Sequence, residues 1–130
     1  MSYDLMVFEP TAAPREREAF LVWYREQTRW SEDHGYDDPK VCSPALQRWF
    51  ADIALTFPPM NGPLASHDCD DPRTTDHCCG RTVIYSAFAG SVATAAFEKA
   101  KELAAKHEVG FFAASEPDGE ILFPLEPTRE

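Results

Sequence analysis

The stretch "RTVIYSAFAGSVATAAFEKAKELAAKHEVGFFAAS", residues 81–115, decides the fold, because its pattern changes from that of a strand to that of a helix and back to that of a strand. Its first part, 81–89, is rich in β-branched and aromatic residues and predicts a strand. A helix is predicted from Val92 to about His107, and "VGFFAAS" (109–115) predicts another strand. One face of the helix carries mostly small apolar residues, which allow close packing against a sheet: Ala93, Ala96, Phe97, Ala100, Leu103 and Ala104.

Outward from this unit, the chain supplies two further strands and two helices. "YDLMVFE" (3–9) predicts a strand with apolar residues on both faces, which places it centrally in a sheet. Residues 14–30 and 43–57 predict helices whose aromatic stripes recur at spacings of three and four. Such stripes are more typical of a core than of a ligand box. Residues 120–125 predict a last strand, entered through the turn "EPDG", and Pro124 places that strand at an edge.

These elements predict one α+β domain over residues 1–130, in the order βααβαββ. We expect a sheet of about four strands with the helices on one face, in a split β–α–β layout related to the ferredoxin-like arrangement. Residues 58–80 are predicted to form one long loop. A chain of 130 residues can bury about two-thirds of its surface, so it needs neither metal nor disulfides for a core.

The chain carries a formal net charge of -10, from 22 acidic and 12 basic residues. This balance disfavours binding to nucleic acid or to an anionic membrane, since both require a basic face. An acidic surface suits a basic protein partner instead. The N-terminus "MSYDLMVFEP" has no signal-peptide pattern, and no segment is apolar enough to span a membrane, so we expect a cytoplasmic protein with reduced cysteines.

The segment "HDCDDPRTTDHCC" (67–79) concentrates histidine, cysteine and aspartate. If zinc bound here, its ligands would be the four residues that alternation allows to converge: His67, Cys69, His77 and Cys79. The H-x-C and H-C-C spacings differ from the usual knuckle, in which two to four residues separate paired ligands. The alternative interpretation is an acidic surface loop without a metal or another cofactor, and we adopt it.

A second segment, "WSEDHGYDD" (30–38), places His34 among four carboxylates. An acid–base role for His34, oriented by Glu32 or Asp33, is one interpretation, and a solvated loop between two helices is the other. The chain has no nucleophile elbow, phosphate loop, dinucleotide fingerprint or C-x-x-C redox motif. No set of residues meets the requirement for a nucleophile, a base and an orienting group, so we predict no catalytic residues.

The motifs "YDLMVF", "LTFPPMNGPLA", "TVIYSAFA" and "LAAKHEVGFFAAS" resemble those of small bacterial proteins that begin Y-D-L-x-V-[FW] and end L-A-x-x-H-x-[VL]-x-F-[FY]. Proteins of this kind are thought to be immunity proteins that neutralise bacterial toxins. The resemblance covers nearly the whole chain and implies a non-enzymatic cytosolic protein. Where this chain reads "DHCCG", those proteins carry a D-Y-x-I-G-like run, which implies that the cysteines occupy ordinary positions.

The function expected from the sequence is therefore the neutralisation of a basic toxin domain through an acidic surface. One alternative is a small metalloprotein or enzyme that uses the loop 67–79, and another is a structural or regulatory homodimer. The residues predicted to contact the toxin lie in the two acidic loops: Glu32, Asp33, Asp37, Asp38, Asp68, Asp70, Asp71 and Asp76.

Overall fold

The computed structural model describes residues 2–63, 65, 70–116 and 118–124. Over these residues the chain forms five strands and three α-helices: β1 (Ser2–Phe8), α1 (Arg17–Gln27), α2 (Pro44–Thr56), β2 (Asp76–Cys79), β3 (Val83–Ala89), α3 (Ala93–His107), β4 (Gly110–Phe112) and β5 (Ile121–Leu122). Short 3-10 turns, Pro39–Val41 and Gly90–Val92, precede α2 and α3. The predicted α+β class is confirmed.

The five strands form one antiparallel sheet in the order β2-β3-β1-β4-β5. β1 is central, as its two apolar faces predict, and Val7 lies between Ile84 of β3 and Phe111 of β4. β1 and β2 therefore run in the same direction on either side of β3, and β3 and β4 run in the same direction on either side of β1. The predicted hairpin is present, although β4 and β5 are shorter than the sequence indicates.

The prediction of about four strands in the order βααβαββ is wrong, because residues 76–79 form an additional edge strand. β2 pairs with β3 so that His77 faces Ser86 and Cys79 faces Ile84. It lies within the segment predicted as a loop. The sequence of β2 does not predict a strand, because its two inward residues are a histidine and a cysteine and not the β-branched or aromatic residues typical of strands.

The prediction that all helices lie on one face is also wrong. Leu5 and Val7 of β1 pack with α2 and α3 on one side of the sheet. Met6 and Phe8 point to the other side, where Phe20 of α1 covers them. A strand with large apolar side chains on both faces must be covered on both, since leaving one face in water would forfeit its burial energy.

α1 is shorter than the predicted helix over 14–30 because its true caps lie further inside. The Glu16 side chain accepts hydrogen bonds from the backbone N–H groups of Glu18 and Ala19, which fixes the start. At the other end, the Thr28 hydroxyl donates to the Tyr24 carbonyl at 3.0 Å. α2 begins at Pro44, as predicted. No helix in the described part of the chain is both long and apolar enough to cross a membrane.

The packing of α1 is tested by replacing Phe20 with alanine. Phe20 is fully buried, with its ring centroid 5.0 Å from that of Phe8 and 5.2 Å from that of Phe112. We expect Phe20→Ala to lower the free energy of unfolding by about 3–5 kcal/mol, measured by urea denaturation. The matched control Val22→Ala removes a side chain that is 54% exposed on the same helix and should change stability by less than about 0.5 kcal/mol. Equal effects of the two variants would contradict the packing of α1 on the sheet.

Candidate functional site

His77, the first candidate metal ligand that the structure describes, is a core residue. Its side chain lies among the rings of Phe50 and Phe88, with centroid distances of 5.3 and 6.0 Å. Its Nε2 lies 3.0 Å from the Phe57 carbonyl oxygen and its Nδ1 lies 2.7 Å from the Ser86 hydroxyl. Because a carbonyl only accepts, Nε2 carries the proton, and Nδ1 accepts from Ser86. Both ring nitrogens are thus used inside the protein, and burial lowers the pKa of His77 to about 4.

Cys79 follows His77 on the same inward face of β2 and is also fully buried. Its thiol hydrogen-bonds with Cys42, and this contact together with burial raises the pKa of Cys79. Protonated thiols in such surroundings are poor nucleophiles and poor metal ligands. The other two candidate ligands, His67 and Cys69, lie outside the described residues. Within the described ranges, no cluster of three or more His, Cys, Asp or Glu side chains could hold a metal ion.

The loop 31–38, which the sequence predicts to be solvated, is held against the end of β2 and the turn that follows it. The Tyr36 carbonyl accepts from the Cys79 N–H at 2.7 Å, and Glu32 Oε1 accepts from the Arg81 N–H at 3.1 Å. His34 lies between two acceptors, the Gly35 carbonyl at 2.7 Å and the Glu32 carboxylate. The Gly35 carbonyl and then Glu32 raise the pKa of His34, since both hydrogen bonds favour the doubly protonated ring.

This arrangement gives the acid–base interpretation of His34 no support. Both ring nitrogens are engaged by the protein, so neither is turned toward a substrate. Neither Ser nor Cys hydrogen-bonds to the His34 ring among the described residues. The geometry is that of an ion-paired loop anchor and does not resemble a general acid or base poised over a pocket.

Several of the carboxylates predicted to contact a partner are used within the chain itself. Asp33 pairs with Arg81, and Asp71 pairs with Arg73 at 3.4 Å. The Arg81 and Arg73 interactions lower the pKa values of these two aspartates. Glu32 binds His34, and Asp38 accepts from the Lys40 N–H at 3.0 Å. Asp37 and Asp70 are exposed, Asp76 is half-buried on β2, and Asp68 lies outside the described residues.

A second acidic surface is present that the sequence does not reveal. An open groove of ≈ 540 Å³ lies between α3 and the β4–β5 turn, and we call it the α3 groove. Its aromatic lining consists of Tyr3 and Phe97. Among the described residues no Lys, Arg or His lines it, and its charged lining consists of four carboxylates: Glu98, Glu116, Asp118 and Glu120.

Contacts within the α3 groove hold its acidic wall in place. The Tyr3 hydroxyl donates to Glu116 Oε2 at 3.0 Å, and burial together with this carboxylate raises the pKa of Tyr3 to about 12. Lys101 of α3, which is not among the lining residues, donates to Glu120 Oε1 at 3.0 Å, and its Nζ lies 5.4 Å from the centroid of the Phe97 ring. Two of the lining residues, Glu120 and Phe97, thus already contact one cationic side chain of this chain.

The sequence contains only a partial signal of this groove. Acidic residues occupy alternate positions in "EPDGE" (116–120). The same residues are equally typical of a tight turn, so the pattern does not by itself indicate an acidic surface. Tyr3, Glu98 and the turn are distant in the chain, and only the pairing of β1 with β4 and the return of α3 bring them together.

The burial of His77 predicts a loss of stability in acid. Its pKa is about 4 in the folded chain and near 6.5 when unfolded, so the unfolded state binds the proton more readily. The contribution of neutral His77 to the free energy of unfolding is fully present above pH 6.5 and is lost as the pH falls toward 4. The loss amounts to at most roughly 3 kcal/mol. We expect His77→Gln, followed by urea denaturation between pH 7 and 4.5, to flatten this acid-side decline.

The matched control is His107→Gln, which removes a histidine bonded to Asp52 between α2 and α3 and leaves His77 in place. This variant should retain the decline below pH 6.5. If His77→Gln kept the full wild-type slope, the decline would belong to other groups and the neutral buried state of His77 would be wrong.

A scan against protein-family models finds no match to this chain, and neither the curated proteins nor the solved structures searched contain one. The resemblance to immunity-like proteins therefore stays a prediction from sequence motifs. The functional conclusion depends on the positions, charges and contacts of the chain's own side chains.

Proposed function

We propose that this chain is a non-enzymatic, cytoplasmic binding protein that neutralises a bacterial toxin by covering a basic surface of the toxin domain. The observation that carries the proposal is the α3 groove, which has four carboxylates beside two aromatic rings, Glu120 among them being paired with Lys101. A net charge of -10 supports it, because a complementary field accelerates the encounter with a basic partner.

The chemistry of the groove suits lysine or arginine side chains of such a partner. Carboxylates accept hydrogen bonds from ammonium and guanidinium groups, and aromatic faces attract the same cations. The contact of Lys101 with Glu120 and Phe97 is an intramolecular example of this mode. Ala93 and Ala113 in the lining leave room for the aliphatic stem of a long cationic residue.

The two acidic loops contribute less than the sequence indicates. Asp33 and Asp71 are paired with arginines of this chain, which reduces the negative potential that they offer to a partner. Exposed Asp37 and half-buried Asp76 retain their place in the proposed contact surface. The metalloprotein alternative receives no such support, since His77 and Cys79 are bonded within the core, and the proposal requires no cofactor.

The test uses the product of the gene adjacent to the one encoding this chain, as the cognate toxin. We expect the two proteins to form a complex on co-expression and the wild-type chain to protect the host cell. The double variant Glu98→Lys/Asp118→Lys reverses two groove charges that make no hydrogen bond with another described residue. It should weaken binding at least about tenfold, measured by titration calorimetry, with lost protection.

The matched control is Glu18→Lys/Glu26→Lys, which changes the net charge equally on the exposed surface of α1. This control should bind and protect as the wild type does. The proposal fails if co-expression gives neither a complex nor protection. Equal weakening by both double variants would assign the effect to net charge and would exclude the α3 groove as the contact.

A further inference from the structure

Two cysteines that are distant in the sequence lie together in the core, on the α2 side of the sheet. Cys42 lies just before α2 and is 5% exposed, and Cys79, the last residue of β2, is fully buried. Both belong to the buried apolar cluster that contains Leu46 and Ile84, and both thiols are free. Because the two thiols also hydrogen-bond with each other, their sulfur atoms are direct neighbours.

Backbone hydrogen bonds hold the two cysteines on adjacent segments of the chain. The Ser43 N–H donates to the Arg81 carbonyl at 3.1 Å, and the Cys79 N–H donates to the Tyr36 carbonyl at 2.7 Å. The segment 36–43 therefore runs beside the end of β2, and the proximity of the two sulfur atoms does not depend on side-chain torsions alone. A disulfide needs such adjacent backbones, since its two Cα atoms lie within about 7 Å of each other.

The neighbouring cysteine, Cys78, is directed away from this pair. Successive residues of a strand point to opposite faces of the sheet, so Cys78 lies on the face opposite to Cys79. There it is half-buried, and its Sγ lies 4.0 Å from Asp76 Oδ1. Burial and then the charge of Asp76 raise the pKa of Cys78 to about 11, which makes it a weak nucleophile. Cys69, the fourth cysteine, lies outside the described residues. Among the described cysteines, the geometry therefore selects Cys42 as the partner of Cys79.

We propose that Cys42 and Cys79 form a redox-sensitive clamp, in which hydrogen peroxide converts the two thiols into an intramolecular disulfide. In the first step the sulfur of Cys42 attacks one peroxide oxygen, the S–O bond forms, the O–O bond breaks, and water leaves a sulfenic acid behind. The sulfur of Cys79 then attacks the sulfur of Cys42. The S–S bond forms, the S–O bond breaks, and the hydroxyl group leaves as water with the proton of Cys79. Two thiols are thereby oxidised, and one peroxide is reduced to two water molecules.

The surroundings of the clamp determine its rate and its effect. The reaction begins at Cys42, which keeps a small exposed fraction, and it is slow because burial and the thiol contact keep Cys79 protonated. The disulfide closes a loop of about 37 residues, which runs from the start of α2 to the end of β2. It therefore fastens the edge strand β2 and the segment 36–43 to the start of α2. The inference does not depend on the proposed function.

The clamp is tested on the untagged full-length chain. The folded protein is treated with hydrogen peroxide, its remaining free thiols are blocked with iodoacetamide, and its tryptic peptides are mapped by mass spectrometry without a reductant. We expect the peptide 41–48 to be linked to the peptide 74–81, with Cys78 alkylated, and dithiothreitol to release both peptides. The oxidised protein should have a Tm roughly 5–15 °C above that of the reduced protein, because the closed loop restricts the unfolded chain.

The variant Cys42→Ala keeps a small apolar side chain at this position and should show neither the linked peptides nor the peroxide-dependent rise in Tm. The matched control Cys78→Ser replaces the half-buried thiol beside Cys79 and should retain both effects. The inference is overturned if peroxide leaves Cys42 and Cys79 as free thiols in the folded wild type, or if linkage through Cys78 predominates. An equal rise in Tm for folded Cys42→Ala and the wild type would also overturn it.

Discussion

Burial of both faces of β1 is the constraint on which the rest of the structure depends. Leu5 and Val7 point to one side and Met6 and Phe8 to the other, and all four are buried. A strand of this kind is stable only at the centre of a sheet with cover above and below. The pairing with β3 and β4 places β1 at the centre of the sheet, and α1 on one side with α2 and α3 on the other supplies the cover.

The residues in 67–79 that most suggest chemistry are used for structure where they are described. His77 joins three elements, because it lies on β2, accepts from Ser86 of β3 and donates to Phe57 at the end of α2. A buried polar side chain costs stability unless its hydrogen bonds are complete, and here both are made. The α3 groove, which carries the proposed function, lies instead beside the start of β1, where Tyr3 lines it.

The α+β class, the central β1, the start of α2 and the strand–helix–strand unit of β3, α3 and β4 could be predicted from periodicity and capping residues. The strand β2 could not, since inward His77 and Cys79 are stabilised by contacts with Ser86 and Cys42 that no local pattern encodes. Cover on both faces could have been inferred from "YDLMVFE". The α3 groove could not, because the pairing of β1 with β4 and the return of α3 bring its distant carboxylates together.

The position of β1 also has a consequence for how the chain acquires its structure during synthesis. β1 is made before the other four described strands, and its partners β3 and β4 are separated from it by more than half of the 130 residues. Pairings this distant along the chain form slowly, because a large loop must close before any contact is gained. Until β3 has been made, both edges of β1 are unpaired, and the edge that pairs with β4 stays open until residue 112 has been made. The strand at the centre of the finished sheet is therefore prone to aggregation in the nascent protein until its partners have been made.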